Sequence, residues 1–204
     1  MSPFTTGESM VFALLLALAP APSVAQDTAY FAGGCFWGIE AVFEHLKGVS
    51  NVESGYAGGT KANPSYREVN TGRTGHAESV RVVYDPAQIS YAQLLEIFFT
   101  VAHDPTQLNM QGPDIGTEYR SIAFYKDAAQ KLAIDAYIVK LGDARVYKRK
   151  IVTEIVPLVA FYRAEEYHQD YLVNHPYEPY IVYNDMPKLE ALRRRYPALY
   201  QKQE

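Results

Sequence analysis

The residue in this sequence with the most chemical potential is a single sulfur. Cys35 is the only cysteine, which excludes intrachain disulfides, cysteine-rich zinc sites and protein-held iron–sulfur clusters. It follows Gly33-Gly34 and precedes Phe36-Trp37, where a strand-like segment gives way to a helical one. A side chain at the first turn of a helix faces unpaired backbone N–H groups and the positive end of the helix dipole, and both favour thiolate over thiol. The glycines leave space beside the sulfur. The two aromatics, one of them the sole tryptophan, offer a wall suited to a methyl or thioether group. Without those neighbours Cys35 would read as a small buried hydrophobe.

Other chemistry is weaker. His45, His76, His103, His168 and His175 are scattered; none is assigned to a metal, and His76 and His168 read as structural hydrogen-bonding residues near the pocket. His76-Ala77-Glu78 imitates the opening of a zinc deaminase signature, but the required Pro-Cys-x-x-Cys is absent. Gly55, Gly58, Gly59, Gly72 and Gly75 lack the Gly-Lys-Ser/Thr of a phosphate loop and form no dinucleotide fingerprint. A net charge of −4, from 19 Lys+Arg against 23 Asp+Glu, gives no broad basic surface for nucleic acid. Arg193-Arg194-Arg195 reads as a solvated helix end.

The elements that must position Cys35 follow from periodicity. Thr28 to Phe31 predicts a strand, and Ile39, Val42, Phe43 and Leu46 predict a helix that begins at Cys35 and ends near Gly48. His76 to Tyr84 alternates as a strand. Ser90 caps a second helix with Leu94, Leu95, Ile97, Phe98 and Val101 on one stripe, stopped by His103-Asp104-Pro105. Thr117 to Tyr125 predicts a strand, Asp127 to Leu141 a helix with Gly142 after it, and Thr153 to Tyr162 a strand. Ser54 to Gly75, Asp104 to Gly116 and the end from Asn174 onward read as long loops, which in a compact domain are often functional. Strands and helices are mixed throughout, so the class is α/β or α+β. At 204 residues, 48% hydrophobic and 21% charged, residues 26–204 fit one globular domain.

The first 25 residues stand apart. Val11 to Ala19 is too short to span a bilayer and has the length of a signal-peptide core; Pro20 and Pro22 break it, and Ser23-Val24-Ala25 supplies small residues before a cut ahead of Gln26. Export to the periplasm or beyond is the expectation, with a cytoplasmic location as the alternative because the stretch before the run carries Glu8 and no Lys or Arg.

Gly34-Cys35-Phe36-Trp37-Gly38 resembles the signature of the peptide methionine sulfoxide reductase A family. Gly55-Tyr56-Ala57-Gly58-Gly59, Asn63-Pro64-Ser65-Tyr66-Arg67-Glu68-Val69, Thr74-Gly75-His76-Ala77-Glu78, His103-Asp104-Pro105, Gly116-Thr117-Glu118-Tyr119-Arg120-Ser121 and Tyr167-His168-Gln169-Asp170-Tyr171-Leu172 are similar to further segments of that family, in family order. The resemblance implies a two-layer α+β sandwich, a mixed sheet packed with helices, with a ferredoxin-like core elaborated by long loops. It implies that Cys35 attacks the sulfur of methionine S-sulfoxide, free or in proteins, while Phe36 and Trp37 hold the methyl group. Glu78, Tyr66 and Tyr119 would gather around the sulfoxide oxygen, and Asp114 would line the pocket. A general acid is chemically necessary because the oxygen leaves only after protonation. Glu78 can serve if burial raises its pKa above about 4.3, and thiol and carboxyl should then titrate as a coupled pair.

Many relatives resolve the resulting sulfenic acid with further cysteines near the carboxyl terminus. Tyr177 to Asp185 holds none here, and Asn70 stands where relatives often carry a non-catalytic cysteine. No bound cofactor is expected. An external thiol must complete turnover: glutathione, a thioredoxin- or glutaredoxin-like protein, or dithiothreitol in vitro. The chain is expected to act as a monomer. Two other readings stay open: a cysteine hydrolase or acyltransferase pairing Cys35 with a histidine, and a non-catalytic binding module for thioether or sulfoxide side chains.

Overall fold

The computed structural model describes residues 25–202; the export segment expected over residues 1–25 lies almost wholly outside them. Along the chain run β1 (Asp27–Ala32), α1 (Phe36–Glu44), β2 (Val49–Ala57), α2 (Tyr66–Val69), β3 (Ala77–Tyr84) and α3 (Tyr91–Ile97). Then come a short β4–β5 hairpin (Met110–Gln111, Asp114–Ile115), β6 (Ile122–Tyr125), α4 (Ala128–Asp143), β7 (Glu154–Pro157), β8 (Phe161–Arg163), α5 (Tyr171–Asn174) and α6 (Met186–Arg195).

The six-stranded sheet has the order β7-β6-β1-β3-β2-β8, all neighbours antiparallel except β6 and β7. Its inner four strands, β6-β1-β3-β2, arise from two interleaved units. β1–α1–β2 straddles β3, and β3–α3–β6 straddles β1, which is the ferredoxin-like arrangement expected. The main core, including Phe31, Phe36, Ile39, Phe43, Val80, Val82, Leu94 and Phe98, lies between this sheet and its helices. Three rings stack there: Phe31 on Phe43 at 5.3 Å and on Phe98 at 4.6 Å.

β7 and β8 lie on opposite edges of the sheet, yet only residues 158–160 join them. Four Cα steps span at most about 15 Å, whereas the outer strands of a flat six-stranded sheet lie about 24 Å apart. The sheet is therefore rolled until its edges approach. Small side chains make the roll possible: Ala32, Ala57 and Ala77 pack with Ile122 and Phe124 inside the curve.

Four sequence expectations change. The loop expected from Asn174 onward carries a π turn over Ile181–Asp185 and the helix α6, which begins with Pro187 in its first turn. The strand expected over Thr153 to Tyr162 is two strands on opposite edges, because the roll lets a three-residue link replace a continuous ladder. The loop expected from Ser54 begins inside β2, whose last four residues are all buried and so show no alternation. Only Ile122–Tyr125 of the strand expected from Thr117 pairs, since Gly116, at φ 155°, is followed by a 3-10 turn over Thr117–Tyr119. In addition, α4 runs through Gly142 to Asp143, and α3 continues as a wider π turn over Phe98–Ala102. The capping expectation at Ser90 holds: its side chain accepts from the Gln93 N–H at 3.3 Å.

Gly55 is required by close approach. A Cβ there would lie 2.3 Å from the Phe161 ring and 2.5 Å from the Tyr162 carbonyl. Gly55→Val is expected to destabilise the fold by about 1–3 kcal/mol through overpacking, read as a lower urea midpoint; an unchanged midpoint would contradict the β2–β8 contact.

Glu40 and Glu44 on α1 are also buried. Burial first, then neighbouring carboxylates, raises Glu40 to about 8 and Glu44 to about 9. In the unfolded chain both lose their protons near 4.5, so between about pH 5 and about 9 rising pH favours unfolding. The urea midpoint of the wild type should fall across that window and fall less in Glu44→Gln; equal slopes would contradict the assignment.

Candidate active site

Register brings the two central groups together. Phe31 pairs with Val80 in the antiparallel β1–β3 ladder, so the chain leaves β1 at Ala32 alongside the stretch of β3 that carries Glu78. The chain turns at Gly34, φ 107°, and Cys35 becomes the N-cap of α1 at φ −53°, ψ 125°. The first amide of the helix then goes to a carboxyl from the neighbouring strand. The Phe36 N–H donates to Glu78 Oε2 at 3.0 Å, and the Cys35 side chain sits at the helix start without a cap hydrogen bond of its own.

Both acids are buried, Cys35 at 8% and Glu78 at 1% exposure. Burial raises Glu78 to about 8, opposed by the Phe36 amide and reinforced by Asp114 and Glu118. Burial also pushes the Cys35 thiol well above its ordinary range, with Glu78 and Asp185 adding to the rise and the Trp37 amide and Lys188 opposing it. This corrects the expectation drawn from the helix start alone. One amide does not outweigh desolvation plus two carboxyls, so the unliganded site holds a thiol.

The aromatic wall is built from distant segments. Trp37 stacks face to face on Tyr171, 3.7 Å between ring centres and 6° between planes, and Tyr180 meets it edge-on at 5.9 Å and 84°. Its indole N–H donates to His168 Nδ1 at 3.2 Å. Burial lowers the His168 pKa, so the ring is neutral with its proton on Nε2. His168 also packs against Phe36 at 5.0 Å and Tyr66 at 4.4 Å.

Tyr66 enters as the first residue of α2, whose start is fixed by the reciprocal Ser65–Glu68 capping box. A second anchor comes from Glu165: Oε1 accepts the Tyr66 N–H at 2.9 Å and Oε2 accepts the Tyr56 hydroxyl at 2.8 Å. Tyr119 comes from the 3-10 turn. Burial, with contributions from Glu78 and Cys35, raises both Tyr66 and Tyr119, so both hydroxyls are neutral donors beside the two acids. Asp114, on β5, accepts the Tyr180 hydroxyl at 2.5 Å.

The structure thus gathers Cys35, Phe36, Trp37, Tyr66, Glu78, Asp114 and Tyr119 into one neighbourhood. It adds three residues that sequence reasoning missed: Tyr180, Asp185 and Lys188. Asp185 is fully buried and accepts from Lys188 Nζ at 3.0 Å. The pair lies against Gly38 of α1, where any Cβ would collide with the carboxylate. The Gly38 beside Trp37 was the available sequence signal of a close neighbour, although it does not say which residue approaches.

Each histidine hydrogen-bonds away from the sulfur. His45 pairs with the Ala41 carbonyl and His175 with the Tyr171 carbonyl. His76 bridges the Gly59 N–H and the Lys61 carbonyl, and His103 lies between the Phe98 carbonyl and the Ser121 hydroxyl. His168 takes the Trp37 indole. A hydrolase reading therefore lacks a histidine base on Cys35.

The sequence pattern described as peptide methionine sulfoxide reductase matches residues 27–199. The chain is 55% identical over 175 residues to "Peptide methionine sulfoxide reductase MsrA 2" of Mesorhizobium japonicum, covering 86% of this chain and 90% of that one. Its fold is similar to Mxr1 from Saccharomyces cerevisiae in reduced form, with TM-score 0.71 and 35% identity over 76% of this chain and 89% of that one. It is also similar to Mxr1 in complex with Trx2, with TM-score 0.52 and 25% identity over 75% and 89% of the two chains. A match of this length, on a chain whose only thiol shares a helix start with a buried carboxyl, shows that the chain belongs to the peptide methionine sulfoxide reductase family.

Proposed function

We propose that the chain reduces methionine S-sulfoxide, in proteins or free, to methionine and so repairs oxidative damage. The observation that carries the reading is the shared helix start: the Phe36 amide holds the Glu78 carboxyl, which keeps its proton at neutral pH, beside the buried N-cap thiol of Cys35. The methyl group lies against Phe36 and Trp37, with the Trp37 face backed by Tyr171 and its edge by Tyr180. The sulfoxide oxygen points to Glu78, Tyr66 and Tyr119. Glu78 gives its proton to that oxygen while Cys35 attacks the sulfur, and it recovers a proton from the thiol. The sum is thiol plus sulfoxide giving sulfenic acid plus thioether.

With one cysteine in the chain, an external thiol must return the sulfenic acid to the thiol, and the likeness to Mxr1 in complex with Trx2 supports a thioredoxin-like donor. The S-epimer preference follows from the family. Export to an oxidising compartment belongs to the same proposal, supported by the apolar run Val11 to Ala19 and the small residues before Gln26.

Single turnover without reductant is the direct assay. Cys35→Ser should form no methionine. Wild type should slow as pH rises through about 8, where Glu78 loses the proton it must donate. Glu78→Gln should slow turnover by about 10²–10⁴-fold and lose that alkaline limb. An unchanged rate and pH profile in Glu78→Gln would remove Glu78 as the acid.

A further inference from the structure

Two residues of one short segment bear on Trp37. His168 Nδ1 accepts the indole N–H at 3.2 Å, and the Tyr171 ring lies on the indole face, 3.7 Å between ring centres. Neither sits in an element that holds itself in place. His168 ends a three-residue 3-10 turn and Tyr171 opens a helix of four residues, lengths that are marginal without outside contacts. Between them Asp170 takes the left-handed region at φ 52°, where a residue other than glycine persists only when its surroundings fix it. Leu172, buried with Ala41 and Ile181, secures the far side.

The near side is secured by Gln169, a buried side chain whose hydrogen bonds go to the sheet edge. Ser54 of β2 donates its N–H to Gln169 Oε1 at 3.0 Å, while Gln169 Nε2 donates to the Ser54 and Ala164 carbonyls, each at 3.1 Å. The β2–β8 ladder is running out here: Gly55 pairs with Arg163, and the Ala164 N–H reaches the Ser54 carbonyl at 2.9 Å. A carboxamide carries both the donor and the acceptor of a peptide group, so Gln169 extends the ladder with a side chain. Glu40 closes the seat from α1, its Oε1 accepting the same Ser54 N–H at 3.1 Å. Three residues separate Glu40 from Trp37 on that helix, so the two share a face.

We propose that Gln169 is a positioning residue: by tying the chain to β2 between His168 and Tyr171, it holds both rings on Trp37 and so sets how tightly the site grips the methyl group of the sulfoxide. The inference rests on the reading of Trp37 as the wall for that methyl group. The hydrogen bonds of Gln169 go to backbone, not to Cys35 or Glu78. Its loss therefore loosens substrate binding and leaves the chemistry of the thiol and the carboxyl in place. A glutamine with a structural role alone would lower stability and alter neither the wall nor the affinity.

Gln169→Met keeps the shape of the side chain and removes its hydrogen bonds. On the full chain, single turnover of a methionine sulfoxide peptide without reductant gives a half-saturating peptide concentration and a limiting rate. The variant should raise the first about tenfold, the scale of one aromatic pair, and change the second by less than about twofold. Trp37 is the only tryptophan, so its fluorescence reads the wall in substrate-free protein and should move to longer wavelength as the two rings loosen. Gln169→Met/Trp37→Leu tests the route: it should bind the peptide no more weakly than Trp37→Leu alone, because both changes act through one contact. Gln169→Asn, one methylene shorter and still polar, should show the same pattern in milder form and carries the test if Gln169→Met does not fold. Unchanged half-saturation or unchanged emission in the folded variant overturns the proposal. So do effects that multiply in the double variant, or a limiting rate that falls while half-saturation stays put. Wild type that forms no methionine would instead remove the reductase reading, while the emission of substrate-free protein still decides whether Gln169 seats the wall.

Discussion

Two acids share the start of one helix, and most of the surrounding structure serves that arrangement. A helix begins with N–H groups that have no partner inside it. Here the first is given to Glu78, and Cys35 occupies the N-cap beside it. Because both acids are buried and close, ionising either one makes ionising the other harder. A proton therefore stays in the pair at neutral pH, as reduction of a sulfoxide requires: a nucleophile and a proton donor in one dry pocket.

The rest of the fold holds the pair in register. β1 and β3 are neighbours at the centre of the sheet, so Glu78 is placed by the ladder and the turn to Cys35 starts just past the end of β1. The tyrosines are placed less directly: Tyr66 by a capping box and by Glu165, Tyr119 by a single 3-10 turn. The aromatic wall depends on the last third of the chain, where Tyr171 and Tyr180 enclose Trp37 from two sides.

What the sequence revealed was local or carried by motif. Cys35 at a helix start, Ser90 as a cap and the alternation of β3 could be read from neighbouring residues. Glu78 and the two tyrosines could be read only from matched segments, since nothing in their own surroundings distinguishes a buried acid from a solvated one. Tyr180 and Asp185 left no such trace. Tyr180 meets Trp37 and Asp114, and Asp185 meets Gly38, across long stretches of sequence, as do Trp37 and His168, 131 residues apart. The ionisation of Cys35 was misjudged for the same reason: a local argument counts helix amides, whereas desolvation and Asp185 come from the folded surroundings. The single strand expected over Thr153 to Tyr162 failed because pairing on opposite edges exists only once the sheet has rolled.

The central claim is that Glu78 carries a proton beside the thiol before substrate arrives. Infrared difference spectra of wild type against Glu78→Gln report that proton directly through the carbonyl stretch of a protonated carboxyl. A protonated band should be present at neutral pH, absent from the variant, and replaced by carboxylate bands as pH rises through about 8. Carboxylate bands alone at neutral pH and below, with no protonated band to lose, would contradict it.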